Sequence, residues 1–460
     1  MAITGYFIDM TWVYREVLLG FKPLYGAHTG ANMSGILLET LVDHISQDRI
    51  FGLTTDNASN NKTLVDSLQQ ALPPEVNIIR TPCLAHVIQL SLNRLLDRLK
   101  AVPLNDTTET KWTDRQSALA KANAQTQNRE ISHTLNKVRY LAVYIRAGPQ
   151  RRHAFTKLQP LEQGLMPIQD VRTRWNSTFL MLHRAKRLRG SFMTFCTDYN
   201  CEEMALDTEE WRQIDHLHYI TKPFFDYTLA LSKTRDITAH LVFRIYNVLF
   251  EHLEKSITQL KRKRVLWKQQ MLTSLESSRE KLDEYYAQTD EVRGHIYAIS
   301  TIAKPAGDEI SQYLDGDITD SEPLAFWRDQ QGRFPTITLL ARDILSILAT
   351  GAGVERLFNT ARDICHYRRG RMKSETIQEL MMYLSLREEK DEKLEDVEID
   401  SISDTEEHTG VSEDLIDIDT DADEEANASP NAPQLPETTP ILRTSGRRRK
   451  ITVDDEFESY

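Results

Sequence analysis

Gly52-Leu53-Thr54-Thr55-Asp56-Asn57-Ala58-Ser59-Asn60-Asn61 sets the end of an apolar run against an acid and a polar turn. The run Arg49–Thr55 reads as a strand. A carboxylate at the C-terminal end of a strand projects into an open crevice bounded by rigid backbone. Hard cations such as Mg²⁺ favour carboxylate oxygens held in this way, with the remaining positions left to water and substrate phosphate. Asp56 is therefore a candidate metal ligand and catalytic acid. The alternative is that Asp56-Asn57 caps the helix that follows, since Asp and Asn are preferred N-caps. Spacing alone leaves both readings open.

Working outward, Ala2–Asp9 and Trp12–Phe21 read as two paired strands rich in Ile, Phe, Tyr, Val and Leu. Asn32–Ser46 reads as an amphipathic helix and Asn77–Thr81 as a fourth strand, so residues 1–95 form an α/β unit. From Leu84 to Tyr286 apolar residues recur at three- and four-residue spacing, the mark of a large helical block. Within it Pro103–Asn128 is polar and reads as a surface loop. Phe334–Leu386 resumes the helical pattern, broken at Thr350-Gly351-Ala352-Gly353, where glycine permits a turn. Residues 388–460 are acidic, poor in aromatics and then rich in Pro, Asn and Thr, a composition expected to be disordered.

The chain has 460 residues, 40% hydrophobic and 27% charged, enough for two or three cores. No run of eighteen apolar residues and no signal-peptide pattern occurs, so no membrane partner is expected. The four cysteines, Cys83, Cys196, Cys201 and Cys365, contain no CxxC pair and fit a reducing compartment. The formal net charge of -12 is uneven: residues 386–460 hold 24 Asp/Glu against 8 Lys/Arg. The body is left slightly basic and compatible with a phosphate backbone. Lys261-Arg-Lys-Arg264 and Arg447-Arg-Arg-Lys450 are candidate nuclear import or phosphate-contacting clusters, the second the more accessible.

Six segments in order resemble hAT-superfamily DNA transposases of fungal type: Ile3-Thr4-Gly-Tyr-Phe-Ile-Asp9, His28-Thr-Gly-Ala-Asn32, Thr55-Asp56-Asn57-Ala-Ser-Asn60-Asn61, Cys83-Leu-Ala-His86, Thr173-Arg174-Trp175-Asn176-Ser177-Thr178 and Gly353-Val354-Glu355-Arg356-Leu357-Phe358-Asn359. The resemblance spans roughly residues 1–387 and implies an RNase H-like catalytic fold interrupted by a helical insertion. The expected fold class is α/β, RNase H-like but incomplete, with a large all-α insertion and an acidic tail. Residues 1–95 would be the first part of the catalytic fold and 96–310 the insertion. Residues 311–387 would end the catalytic fold and carry the hAT dimerisation region, and 388–460 would be the tail.

The resemblance implies three acids holding two Mg²⁺ ions that activate a water or a 3′-hydroxyl for in-line attack on a phosphodiester. Asp56 would be the second acid and Glu355 the third, although spacing alone makes Glu355-Arg356 an ordinary helical ion-pair position. The first acid belongs to a strand that would precede Met1. Without it the RNase H-like sheet lacks its central strand, its neighbours expose edges, and catalysis is expected to fail. The alternative is an active cut-and-paste transposase with Mg²⁺. Asp9, which begins a turn, is not expected to substitute. No terminal zinc-finger module is expected either, so binding to transposon ends would be weak or non-specific.

Arg174 and Trp175 resemble the family's DNA-contacting pair, whose ring stacks on a base displaced from the duplex, worth about 1–3 kcal/mol per base. A core Trp beside a surface Arg is the plainer reading. Cys83 and His86 could share one helix face toward zinc, yet a closed site needs two further ligands, for which only His183 or His133 is at hand. A buried structural cysteine is expected instead, without zinc. The apolar positions Leu357, Phe358, Leu380 and Leu384 fall in the dimerisation region and call for a partner subunit, a homodimer or higher oligomer. Leu348 stands where the family usually has proline, and the passage from Tyr297 to Glu309 is short. The expected protein is a nuclear, dimerising, DNA-associated transposase derivative.

Overall fold

The computed structural model describes residues 1–125, 130–159, 164–172, 176–232, 237–289, 309, 312–313, 322–351, 353–354, 356–358, 360–361 and 373–388. Of residues 386–388 it describes the backbone alone. The architecture is mostly helical with small sheets.

Strands β1 (Ala2–Ile8) and β2 (Tyr14–Phe21) pair antiparallel, with a register shift between Ile3 and Thr4. The hairpin tip is unusual because Trp12 lies in the left-handed region at φ 64°, a conformation that bulky residues avoid. It is held there by burial. The Trp12 indole is 5% exposed, donates Nε1–H to Gln331 Oε1 at 3.3 Å and lies under the Arg342 guanidinium at 4.7 Å.

Helix α1 (Gly30–Asp43) opens with Thr29, whose hydroxyl accepts from the Asn32 N–H. β3 (Gly52–Thr55), α2 (Ser59–Ala71) and β4 (Ile79–Pro82) form a crossover unit, β3 and β4 pairing in parallel. These strands are shorter than the sequence pattern suggested. Among the described residues the two sheets, β1-β2 and β3-β4, are each two-stranded. α1 and α2 cover them around Ile3, Leu37, Leu41, Leu64, Leu68 and Ile78. Gly30 is where the two helices meet most closely, because a methyl group there would collide with Thr63 and the Leu64 backbone.

The helical block comprises α3 (Leu84–Arg98), α4 (Asp114–Gln125), α5 (Ile131–Arg146), α6 (Pro149–Lys157), α7 (Ser177–Arg187), α8 (Arg189–Asp198), α9 (Thr208–Leu231), α10 (Val242–Leu260) and α11 (Leu266–Thr289). Its core runs from Leu84 to Leu282 through Leu95, Leu135, Phe155, Phe195, Trp211, Phe224 and Leu249. Each fully buried side chain of this size removes enough apolar surface from water to contribute about 1.5–3 kcal/mol. Several polar groups inside are paired. Arg139 grips the fully buried Asp170 with Nε and Nη2 at 2.7 Å each, and the Ser91 and Ser278 hydroxyls meet at 2.8 Å where α3 crosses α11. Helix α4 corrects the expectation of a loop over Pro103–Asn128: among the described residues of this stretch, 103–113 lack regular structure and 114–125 are helical. Its first turn is held by Gln116, whose Oε1 accepts from the Thr113 N–H at 2.7 Å.

The C-terminal helices return to the N-terminal hairpin. α12 (Pro323–Gln330) and α13 (Pro335–Leu345) each start with proline, whose missing N–H costs nothing in a first turn. They enclose Ile8, Trp12 and Tyr14 with Trp327, Phe334 and Ile337. α14 (Ser374–Glu388) sets Met381 against Leu18 and Ala361. Among the described residues no helix is long and apolar enough to cross a membrane.

Candidate functional site

The C-terminal ends of β3 and β4 are closed by a segment from almost 300 residues away. Thr54 Oγ1 donates to the Leu348 carbonyl at 2.6 Å, and Ile347 packs on Gly52. The first-turn N–H of Leu84, which has no partner within α3, donates to the Ala349 carbonyl at 2.7 Å. Ala349 in turn donates its N–H to Thr238 Oγ1 at 2.9 Å. Gly351 N–H reaches Cys83 Sγ at 3.2 Å, while the Cys83 thiol faces Thr350 Oγ1 at 3.8 Å. Residues 347–351 thus clasp the mouth of the β3-β4 sheet, and Cys83 is a buried anchor of that clasp.

Asp56 follows β3 at this mouth and is exposed. Its Oδ1 accepts from Ala58 N–H at 2.9 Å and Asn61 Nδ2 at 2.6 Å, so both of these bonds fall on one oxygen. The helix-cap reading holds in part: the carboxylate steadies the turn into α2, whose N-cap Ala58 has no side chain able to do so. Oδ2 takes neither bond. His86, one turn into α3, is half-buried; burial lowers its pKa and the Asp56 charge pulls it back up. Asn32 and Asn60 have a positioning role, which the sequence reading missed. Asn32 Nδ2 donates to the Tyr25 and Ala27 carbonyls at 2.9 and 3.0 Å, and Asn60 Nδ2 to the His28 carbonyl at 2.8 Å.

Asp9 is spent on its own hairpin. Oδ1 accepts from the Thr11 N–H and hydroxyl and the Val13 N–H at 2.8, 2.6 and 3.0 Å, and Oδ2 from Arg15 Nε at 2.9 Å. The Thr11 hydroxyl, then the Val13 N–H and Arg15, hold its pKa well below the usual carboxylate range.

Glu355, Arg174 and Trp175 lie outside the described residues. Around 173–175, Arg172 pairs with Asp106 at 2.9 Å, and Asn176 is left-handed at φ 60°. Asp170 Oδ2 accepts from Thr178 Oγ1 at 3.0 Å. A cleft of about 200 Å³ opens here between Gln89, Asn93, Pro103, Arg172 and Asn176. Of the apolar positions expected at an interface, Leu357 joins the Leu18–Met381 cluster within the chain. Phe358 is 46% exposed beside Phe21, and Leu380 and Leu384 are half-buried. His183 pairs with His218 at 3.2 Å rather than with Cys83.

Three families match in order: the ZBED1 RNase-like domain over residues 1–82, the ZBED1 RNase-like helical domain over 81–220 and the hAT family C-terminal dimerisation region over 309–384. The "Putative transcriptional regulator tpeD" of Talaromyces stipitatus is 43% identical, covering 84% of this chain and 51% of its own length. The "Putative AC transposase" of Zea mays is 21% identical over 83% of this chain and 54% of its own. "Zinc finger BED domain-containing protein RICESLEEPER 2" of Oryza sativa subsp. japonica is 22% identical over 53% and 31%. The chain spans about half the length or less of these relatives.

Proposed function

Because this chain is an hAT-superfamily, transposase-like protein that carries the family's dimerisation region, we propose that it acts as a nuclear homodimer that associates with DNA and does not cut it. The single observation that carries the non-cutting part is Asp9. This acid has both oxygens committed to its turn and does not fit a metal-binding role. Asp56, with one oxygen outside its hydrogen bonds, does fit. When bound there, Mg²⁺ would supply an activated water or hydroxyl, with Asp56 and, by resemblance, Glu355 as its protein ligands. Dimerisation is supported by Leu339, Phe358 and Tyr383, which expose 61%, 46% and 62% of their surface in the matched region. A regulatory, nuclear role is in keeping with the description of the 43%-identical relative.

The second reading, an active transposase, is favoured by the clasp, which anchors residues 347–351 beside the strand that ends in Asp56. The test is a nicking and hairpin-formation assay with purified protein and Mg²⁺ or Mn²⁺ on DNA carrying the flanking terminal repeats. Gel-shift binding and sedimentation are run alongside it. A dimer that shifts DNA and leaves it intact is the expected result. Metal-dependent cleavage lost in both Asp56→Ala and Glu355→Ala would overturn it in favour of the active enzyme.

A further inference from the structure

Helix α8 ends in a turn that presses two cysteines together. Asn200 takes the left-handed conformation at φ 48°, and the Cys201 N–H donates to the Cys196 carbonyl at 3.1 Å. This is the six-to-one bond of a Schellman cap, with Tyr199 as C-cap, Asn200 as C′ and Cys201 as C″. Such a cap brings the side chains of C3 and C″ into contact, and here both are cysteines. Paired cysteines bridge when their Cα atoms lie about 4.4–6.8 Å apart, and the closed turn of the cap keeps these two chain positions close. Both thiols are free and buried, in the core that also holds Phe192, Phe195 and Met204. The covering is thin, because Thr197, Asp198, Tyr199 and Asn200 are all exposed.

We infer that Cys196 and Cys201 are a modification site: hydrogen peroxide converts this contact pair into a reversible disulfide across the α8 cap. Cys201 Sγ faces the Phe195 carbonyl at 4.0 Å, and the neighbouring Cys196 side chain lowers the Cys201 pKa while Cys201 and burial raise that of Cys196. Cys201 is thereby the sulfur that attacks. Its thiolate takes one peroxide oxygen and the O–O bond breaks. The other oxygen leaves as hydroxide, is protonated to water, and Cys201 becomes a sulfenic acid. The Cys196 sulfur then attacks the Cys201 sulfur, losing its proton to the departing hydroxyl, which leaves as a second water. Two thiols are oxidised to one disulfide, and one peroxide is reduced to two waters. A small thiol reverses the step by exchange.

The test uses the full chain, treated with hydrogen peroxide, alkylated with iodoacetamide and digested with trypsin. No Lys or Arg lies between Gly190 and Arg212, so both cysteines fall on one peptide. The expected peptide from oxidised protein carries no alkyl group and takes up two only after reduction. Cys83→Ser with Cys365→Ser leaves this unchanged, whereas Cys196→Ser leaves Cys201 as a sulfenic acid trapped by dimedone. A peptide that takes two alkyl groups after peroxide would overturn the inference.

Discussion

Two residues show how differently a buried polar group behaves with and without a partner. Asp170 is fully buried yet answered on both oxygens by Arg139 and Thr178. Asp170→Ala leaves the Arg139 charge uncompensated, and urea unfolding should report a loss of about 3–5 kcal/mol. The double variant Arg139→Met with Asp170→Leu should recover much of it, and failure to do so would locate the loss in packing. His216 is the opposite case. Both ring nitrogens lack hydrogen-bond partners, the ring stands edge-on to Trp267, and burial, aided by Lys268 and His252, pushes its pKa down to about 4. Burial likewise depresses His218, to about 3. In each, the unfolded chain binds the proton that the folded chain refuses. Stability is thus intact above the ordinary value of 6.5 and falls as pH drops toward the folded values. His216→Phe should flatten that acid limb and leave stability at neutral pH unchanged or higher, as thermal melts across pH would show.

At the level of elements, close approach rather than propensity decides what tolerates change. Gly30→Ala forces α1 away from α2, a strain of about 1–3 kcal/mol. Because α2 begins beside Asp56, this variant should also loosen the mouth of the β3-β4 sheet, seen as faster amide exchange at Ala58 and Asn61. Most elements were legible. The hairpin, α1, β3 and β4 all carry periodic apolar residues; the structure trims the hairpin strands and β3, starts α1 two residues earlier and ends it at Asp43, and shifts β4 to Ile79–Pro82. Helix α4 was not legible, since only Gln116 and Ala120 of its twelve residues are buried and a polar helix reads like a loop. Asp56 was visible as an acid ending a strand. The clasp was not, because Thr54 and Leu348 are 294 residues apart and neither has a pattern pointing to the other. The roles of Asn32 and Asn60 were hidden for the same reason, since a side-chain bond to a carbonyl leaves no periodic mark.

Across the whole molecule, charge and connectivity set the behaviour. Deleting residues 389–460 removes 23 acids and 7 bases and changes the net charge from -12 to +4. The shortened chain should bind duplex DNA more tightly, by roughly tenfold at low salt, with a steeper decline as salt rises. Equal affinity and slope for both chains would mean that this acidic stretch does not screen the body. Connectivity has a different effect. The strand before Asp56 leaves the ribosome first, and Leu348, Ala349 and Gly351, which close its mouth, follow almost 300 residues later. At about 5–20 residues per second that is a wait of roughly 15–60 s. Throughout it the nascent polypeptide holds Thr54 and the start of α3 without their carbonyl partners. A chaperone acting during synthesis would find its binding surface there, and a message cut short before the codon for Leu348 would yield a product that never completes this end of the sheet.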